Sequence, residues 1–173
     1  MVTRRFDVFD PVVLTVGQFH AGTLRTIIPD DAYFEATIRT FSAKAKARIA
    51  EQAVRVCEGI AAAHSLDVEV TYSDEYPLTV NHAADYDFAA ATVREVFGEE
   101  RFEEMPNPIT GAEDFSRVLD RVPGAYVFLG ACPTGDPASA PNNHSPLAAF
   151  DDSVLPDGAA LLAELAVRRL AQL

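Results

Sequence analysis

The residues of this 173-residue chain whose types and spacing could do chemistry are four histidines, one arginine on an alternating segment and a short Gly-Ala-Glu-Asp-Phe stretch. His144 lies in Asn142-Asn143-His144-Ser145-Pro146, in a polar loop after an apolar run and shortly before Asp151-Asp152. An imidazole presented in that way suits a metal ligand, because loops at strand ends carry function. The same surroundings suit an ordinary surface histidine, and spacing alone favours that. His20 ends a β-rich run, His64 closes a helical pattern where a cation suits the dipole, and His82 stands near a helix start. Each of these three reads as a structural position. Arg39 projects from the polar face of its segment, where a rigid forked cation could clamp a carboxylate or pair with Glu35 or Glu69. Gly111 opens Gly111-Ala112-Glu113-Asp114-Phe115, a tight loop entering a helix. A ligand could approach the backbone there and the helix amides would favour an anion, but plain capping by Glu113 and Asp114 accounts for the same residues. Cys57 and Cys132 read as packing residues. No Ser-His-Asp set, Cys-His pair, HExxH or phosphate-loop spacing can be assembled, so the residues alone give no reaction.

These groups must be positioned by secondary structure, and the first half of the chain is clear. Val12 to His20 is β-rich and ends at Ala21-Gly22. Residues 32 to 41 alternate, with Ala32, Phe34, Ala36 and Ile38 facing a core and Tyr33, Glu35, Thr37 and Arg39 facing away. Ser42 caps a helix reaching His64, with an apolar stripe of Ile49, Ala53, Val56, Ile60 and Ala63 opposite a charged one. Alternation at Val68, Val70 and Tyr72 predicts a third strand. Strand, strand, helix, strand is a ferredoxin-like unit lacking its first strand and helix, so the chain reads as cut at the front.

Composition shifts after Tyr76-Pro77, and a boundary is expected near Val80. Asn81 is placed to cap a helix running to Phe97, and 112–121 reads as a short helix. Residues 125–131 (AYVFLGA) read as a strand buried on both faces. A final helix over 157–172 is expected to bury Leu161, Leu162, Leu165 and Leu170. With few partners for its strand, this half too reads as part of a larger α/β layer.

The composition excludes several classes. The 14 basic against 26 acidic side chains give a net charge of -12, which argues against nucleic acid or an anionic membrane surface as partner. No apolar run approaches the roughly 20 residues of a membrane span, and no signal-peptide pattern follows Met1. Two Cys without metal spacing make neither a disulfide framework nor a zinc knuckle. A cytoplasmic globular protein is expected.

Six segments then fit one pattern: TRRFDVFDPVVLTVGQFHAGT from Thr3, IIPDDAYFEATIRTFS from Ile27, YPLTVN from Tyr76, PITGAEDFS from Pro108, PGAYVFLG from Pro123 and NHSPLAAFDDSVLPDGAALL from Asn143. In that order the chain resembles the C-terminal portion of the metal-dependent amidohydrolases that include hippurate hydrolase and the indole-acetyl-amino-acid hydrolases. These are grouped with carboxypeptidase G and aminoacylase among dinuclear metallopeptidases. The resemblance implies an α/β protein, with an incomplete ferredoxin-like α+β lid or dimerisation domain over residues 1–80. Residues 81–173 would be the C-terminal part of an α/β catalytic layer.

Residue by residue, the resemblance makes His144 a metal ligand in its HSP setting, which reverses the reading from spacing. It makes Arg39, in TIRTF, a lid arginine holding the substrate carboxylate, and Gly111 a glycine lining the pocket. Thr26 stands where the family usually has a substrate-recognising Asn, and Thr110 where a Met commonly precedes the glycine. No catalytic residue falls within this chain. A complete member would hydrolyse N-acyl amino acid amides, with two divalent ions (Zn, Mn, Co or Ni) activating a water and a glutamate taking its proton. A lone His144 cannot hold that centre, so metal binding by this chain alone is expected to be weak or absent, and its activity nil. Expected partners are a small N-acyl amino acid and a second copy bound through the lid. The alternative is a non-catalytic module that dimerises or binds a small carboxylate.

Overall fold

The computed structural model describes residues 1–172. It divides into two compact units, one comprising 1–79 with 108–117 and the other 80–107 with 118–173.

In the first unit a short helix α1 (Val2–Arg5) precedes the antiparallel hairpin of β1 (Val12–Ala21) and β2 (Ala32–Thr40), followed by the long helix α2 (Ala43–Ala63). α2 starts where its cap predicts, the Ser42 hydroxyl accepting the Ala45 amide at 2.9 Å and donating to Asp10 at 2.7 Å. The hairpin carries a bulge between Val16 and Gln18. Directly paired residues share a face, so Val12, Leu14, Val16, Phe19 and Ala21 line up with Thr40, Ile38, Ala36, Phe34 and Ala32. The bulge leaves the extra residue, Gly17, unpaired, so Phe19 joins that apolar face despite its odd spacing.

Only one end of the face is covered. Val12, Ala45 and a fully buried Ile49 form the core, with Val2, Phe6 and Ile38 packed against them. Toward the turn, Phe19 and Phe34 stay exposed. The sequence expectation of one buried face along 32–41 is corrected accordingly: α2 reaches only the open end of the hairpin. The helix stripe is likewise buried at Ile49 but not at Ile60, which is 60 % exposed. The predicted third strand at 68–72 is absent among the described residues. No backbone ladder partners it, and the chain just beyond is held by side chains, Lys46 donating to the Tyr76 carbonyl at 2.9 Å and Arg117 to that of Glu75.

The second unit is built on α3 (Ala83–Phe97) and α5 (Leu155–Leu170), which pack together, with Ala89, Ala90 and Thr92 buried. Arginines stitch its elements: Arg101 to Asp157 at 2.7 Å, Arg168 to Glu95 and to Glu164, and Arg169 to Asp85. Asn81 does not cap α3. Its side-chain amide instead clasps the backbone of Tyr126, accepting at 2.8 Å and donating at 3.0 Å, as a neighbouring strand would. Residues 125–131 form no ladder among the described residues, and Val127, Phe128 and Leu129 are exposed, so the doubly buried strand is not realised here. The helix expected over 112–121 shortens to α4 (Ser116–Leu119). α5 starts two residues early because Pro156 is tolerated in its first turn. None of its leucines is buried, and Leu162 and Leu170 are 70 % and 68 % exposed.

Candidate functional site

Arg39 lies near the end of β2, opposite Val13, on the polar face that also carries Thr15, Gln18, His20, Tyr33, Glu35 and Thr37. Further along that face His20 stacks on Tyr33 with ring centroids 4.9 Å apart, and Gln18 donates to the Tyr33 hydroxyl at 3.2 Å. Arg39 forms neither of the ion pairs that sequence allowed with Glu35 or Glu69. Among the described residues its guanidinium donates through Nη1 to the backbone carbonyl of Thr110.

Thr110 and Gly111 belong to the same unit, in the segment that leads to Ser116. That segment is fixed from below: Ser116 is fully buried and donates to the Glu113 carbonyl at 2.6 Å, while the Glu113 carboxylate accepts the Phe115 amide at 3.1 Å. Gly111 is not demanded by crowding, since a Cβ there would meet only Ile109, at 3.5 Å. The structure thus brings Arg39 and the Thr110-Gly111 backbone together. It does not bring Thr26 to them. Thr26 sits in the exposed loop joining the strands, and Ala32 and Arg39 alone are separated by seven residues of extended chain, about 23 Å.

His144, in the second unit, is exposed on a loop organised by short side-chain bonds. Asn142 accepts the His144 amide at 3.0 Å and Ser145 accepts the Leu147 amide at 3.1 Å. Just beyond, Asp151 opens the turn into α5 by accepting the Ser153 amide at 2.9 Å, and hydrogen bonding from the Ser153 side chain, then from that amide, holds its carboxyl below the usual range. On the other side of the loop the Cys132 thiol is lowered by its hydrogen bond with the Thr134 hydroxyl. In the first unit burial, then the charge of Asp74, pushes the Tyr72 hydroxyl up. Among the described residues no group of three or more His, Cys, Asp or Glu side chains could hold a metal ion. A catalytic metal takes at least three protein ligands, so the residues described do not by themselves fit a resident centre.

The contact that sequence reasoning missed is the Thr110 carbonyl. Every residue has one, so no residue type announces it. The only pointer was the proximity of Thr110 to Gly111.

Residues 8–168 match the description "Peptidase family M20/M25/M40". The chain is 32 % identical over 169 residues to thermostable carboxypeptidase 2 of Saccharolobus solfataricus, covering 97 % of this chain and 42 % of that one. It is 28 % identical over 170 residues to hippurate hydrolase of Campylobacter jejuni, covering 98 % of this chain and 43 % of the relative. Among solved structures it is similar to the Bacillus subtilis YXEP protein, a dinuclear metal binding peptidase from the M20 family. The TM-score is 0.78 at 27 % identity, over 94 % of this chain and 43 % of that one. The chain therefore spans about two fifths of the length of these relatives. With nearly its whole length matched, a mixed helix-and-strand fold in common and hydrolases among its relatives, the chain belongs to peptidase family M20/M25/M40.

Proposed function

We propose that this chain is the C-terminal part of a metal-dependent amidohydrolase acting on N-acyl amino acids, and that it supplies substrate-holding groups and a single metal ligand. Arg39 takes the amino-acid carboxylate, Gly111 leaves room beside it, and His144 is the lone ligand. Thr26, at the far end of the hairpin, does not touch the same carboxylate from the same chain. Residues 1–80 are read as the lid and 81–173 as part of the catalytic layer. The observation that carries the reading is the match over residues 8–168 by a chain that holds no group of three ligands among its described residues.

Two further parts of the reading rest on surface and thiol chemistry. The exposed apolar face at Val16, Phe19 and Phe34 supports pairing of two copies through the lid hairpin. The free thiols of Cys57 and Cys132 support a reducing, cytoplasmic setting.

The test is hydrolysis of hippurate with Zn, Mn, Co or Ni added in turn. The expected result is no turnover by this chain alone. Metal-dependent turnover should appear when any open frame upstream of Met1 is expressed with it, and should be lost on His144→Ala. Turnover by the isolated chain would overturn the proposal. The absence of any such upstream frame would favour a non-catalytic carboxylate-binding module instead.

A further inference from the structure

We infer that the backbone carbonyl of Thr110 is the positioning group for Arg39, holding its guanidinium through Nη1 without neutralising it and leaving the Nε–Nη2 edge for a ligand carboxylate. The inference rests on the reading of Arg39 as the carboxylate-holding residue and adds to it the device that aims the side chain.

Arg39 is an exposed cation in a chain of net charge -12, and among the described residues it meets no carboxylate. A neutral carbonyl takes one of its five N–H donors and none of its charge. An arginine paired with Glu35 or Glu69 would have to break that pair before binding an anion. One held by a carbonyl keeps its full attraction and has already lost part of the rotamer freedom that binding would otherwise remove. The support is rigid, because the segment carrying Thr110 is tied through the Glu113–Ser116 turn to the buried Ser116. The space is open, because the next residue is a glycine that no neighbour crowds.

The carbonyl can be weakened without moving the chain. Incorporating glycolic acid, the α-hydroxy analogue of glycine, at position 111 turns the 110–111 peptide bond into an ester, a poorer acceptor, with the native chain as its control. The Gly111 amide donates no hydrogen bond among the described residues, so its loss leaves no partner behind. The readouts are the Nε–Hε NMR signal of Arg39, assigned by its absence in Arg39→Lys, the rate of rotation about its Nε–Cζ bond, and affinity for sodium hippurate.

The ester should free the rotation and weaken hippurate binding about fivefold, the worth of one modest hydrogen bond. Arg39→Lys should abolish the hippurate response. If that response is lost in Arg39→Lys but unchanged in the ester, the role of Thr110 is overturned and the reading of Arg39 stands. A response that survives Arg39→Lys, or no response in the native chain, overturns both.

Discussion

In the first unit Arg5 donates to the Gln52 amide oxygen at 2.6 Å, and Arg39 and Arg117 donate to the carbonyls of Thr110 and Glu75. In the second, Arg94 meets Glu99, Arg101 meets Asp157, Arg168 meets Glu95 and Glu164, and Arg169 meets Asp85. Neutral acceptors aim a cation and leave its field intact, while carboxylates discharge it and tie two elements together. The contrast extends to what holds each unit. The hairpin and α2 meet around a fully buried Ile49, and Lys46–Asp74 is an ion pair of that unit. α3 buries two alanines and a threonine, α5 buries none of its residues, and their contact is bordered by ion pairs. One unit is fastened by shape and leaves three arginines on neutral acceptors. The other spends its charge on fastening.

That contrast can be broken at three points. The largest effect is expected from Ile49→Ala, which should cost the first unit about 2–5 kcal/mol through lost burial and a cavity. Hydrogen exchange at α2 amides should read the loss while α3 and α5 amides keep their protection, and the loss should persist in high salt. A smaller effect is expected from Arg168→Met, which removes both carboxylate contacts of one side chain. The melting transition of the second unit should fall slightly in dilute buffer and recover toward native in about 1 M salt, where screening acts within ~3 Å. An equal loss in both buffers would mean packing, not charge, ties α3 to α5. The smallest is Asp151→Asn. Hydrogen bonding from Ser153 depresses the Asp151 pKa on folding, so its contribution is present above the ordinary carboxylate pKa and lost as pH falls through the depressed value. Asp151→Asn should therefore lower stability slightly at neutral pH and converge with the native chain in acid, which flattens the acid limb of a stability-against-pH curve.

What was legible in the sequence follows the same physics. α2 could be read because Ser42 and the 3.6-residue stripe are local, and the hairpin because alternation is local. The segments 68–72 and 125–131 could not be settled that way, since a strand is defined by a neighbour and neither finds one among the described residues. Burial of Leu162 and Leu170 failed for a related reason: periodicity names an apolar face but not what covers it. Arg39 was picked out by its place on a polar face, yet its partner is a backbone atom that residue types do not mark. His144 was doubtful from spacing and gained its assignment from family motifs, and its neighbours within the loop explain the loop's shape without giving the imidazole a task.

The bulge at Gly17 has a consequence for how this hairpin can change by descent. A Cβ at that position would meet nothing within 4 Å, so many side chains fit there. Losing the residue altogether would also leave the pairing in place, because Val16 and Gln18 already oppose the adjacent Ala36 and Glu35, and without Gly17 the ladder runs on with Phe19 and His20 on their present faces. Position 17 is therefore permissive toward substitution and deletion alike, whereas losing a residue from β2, where every residue is paired, would turn the side chains beyond it to the other face.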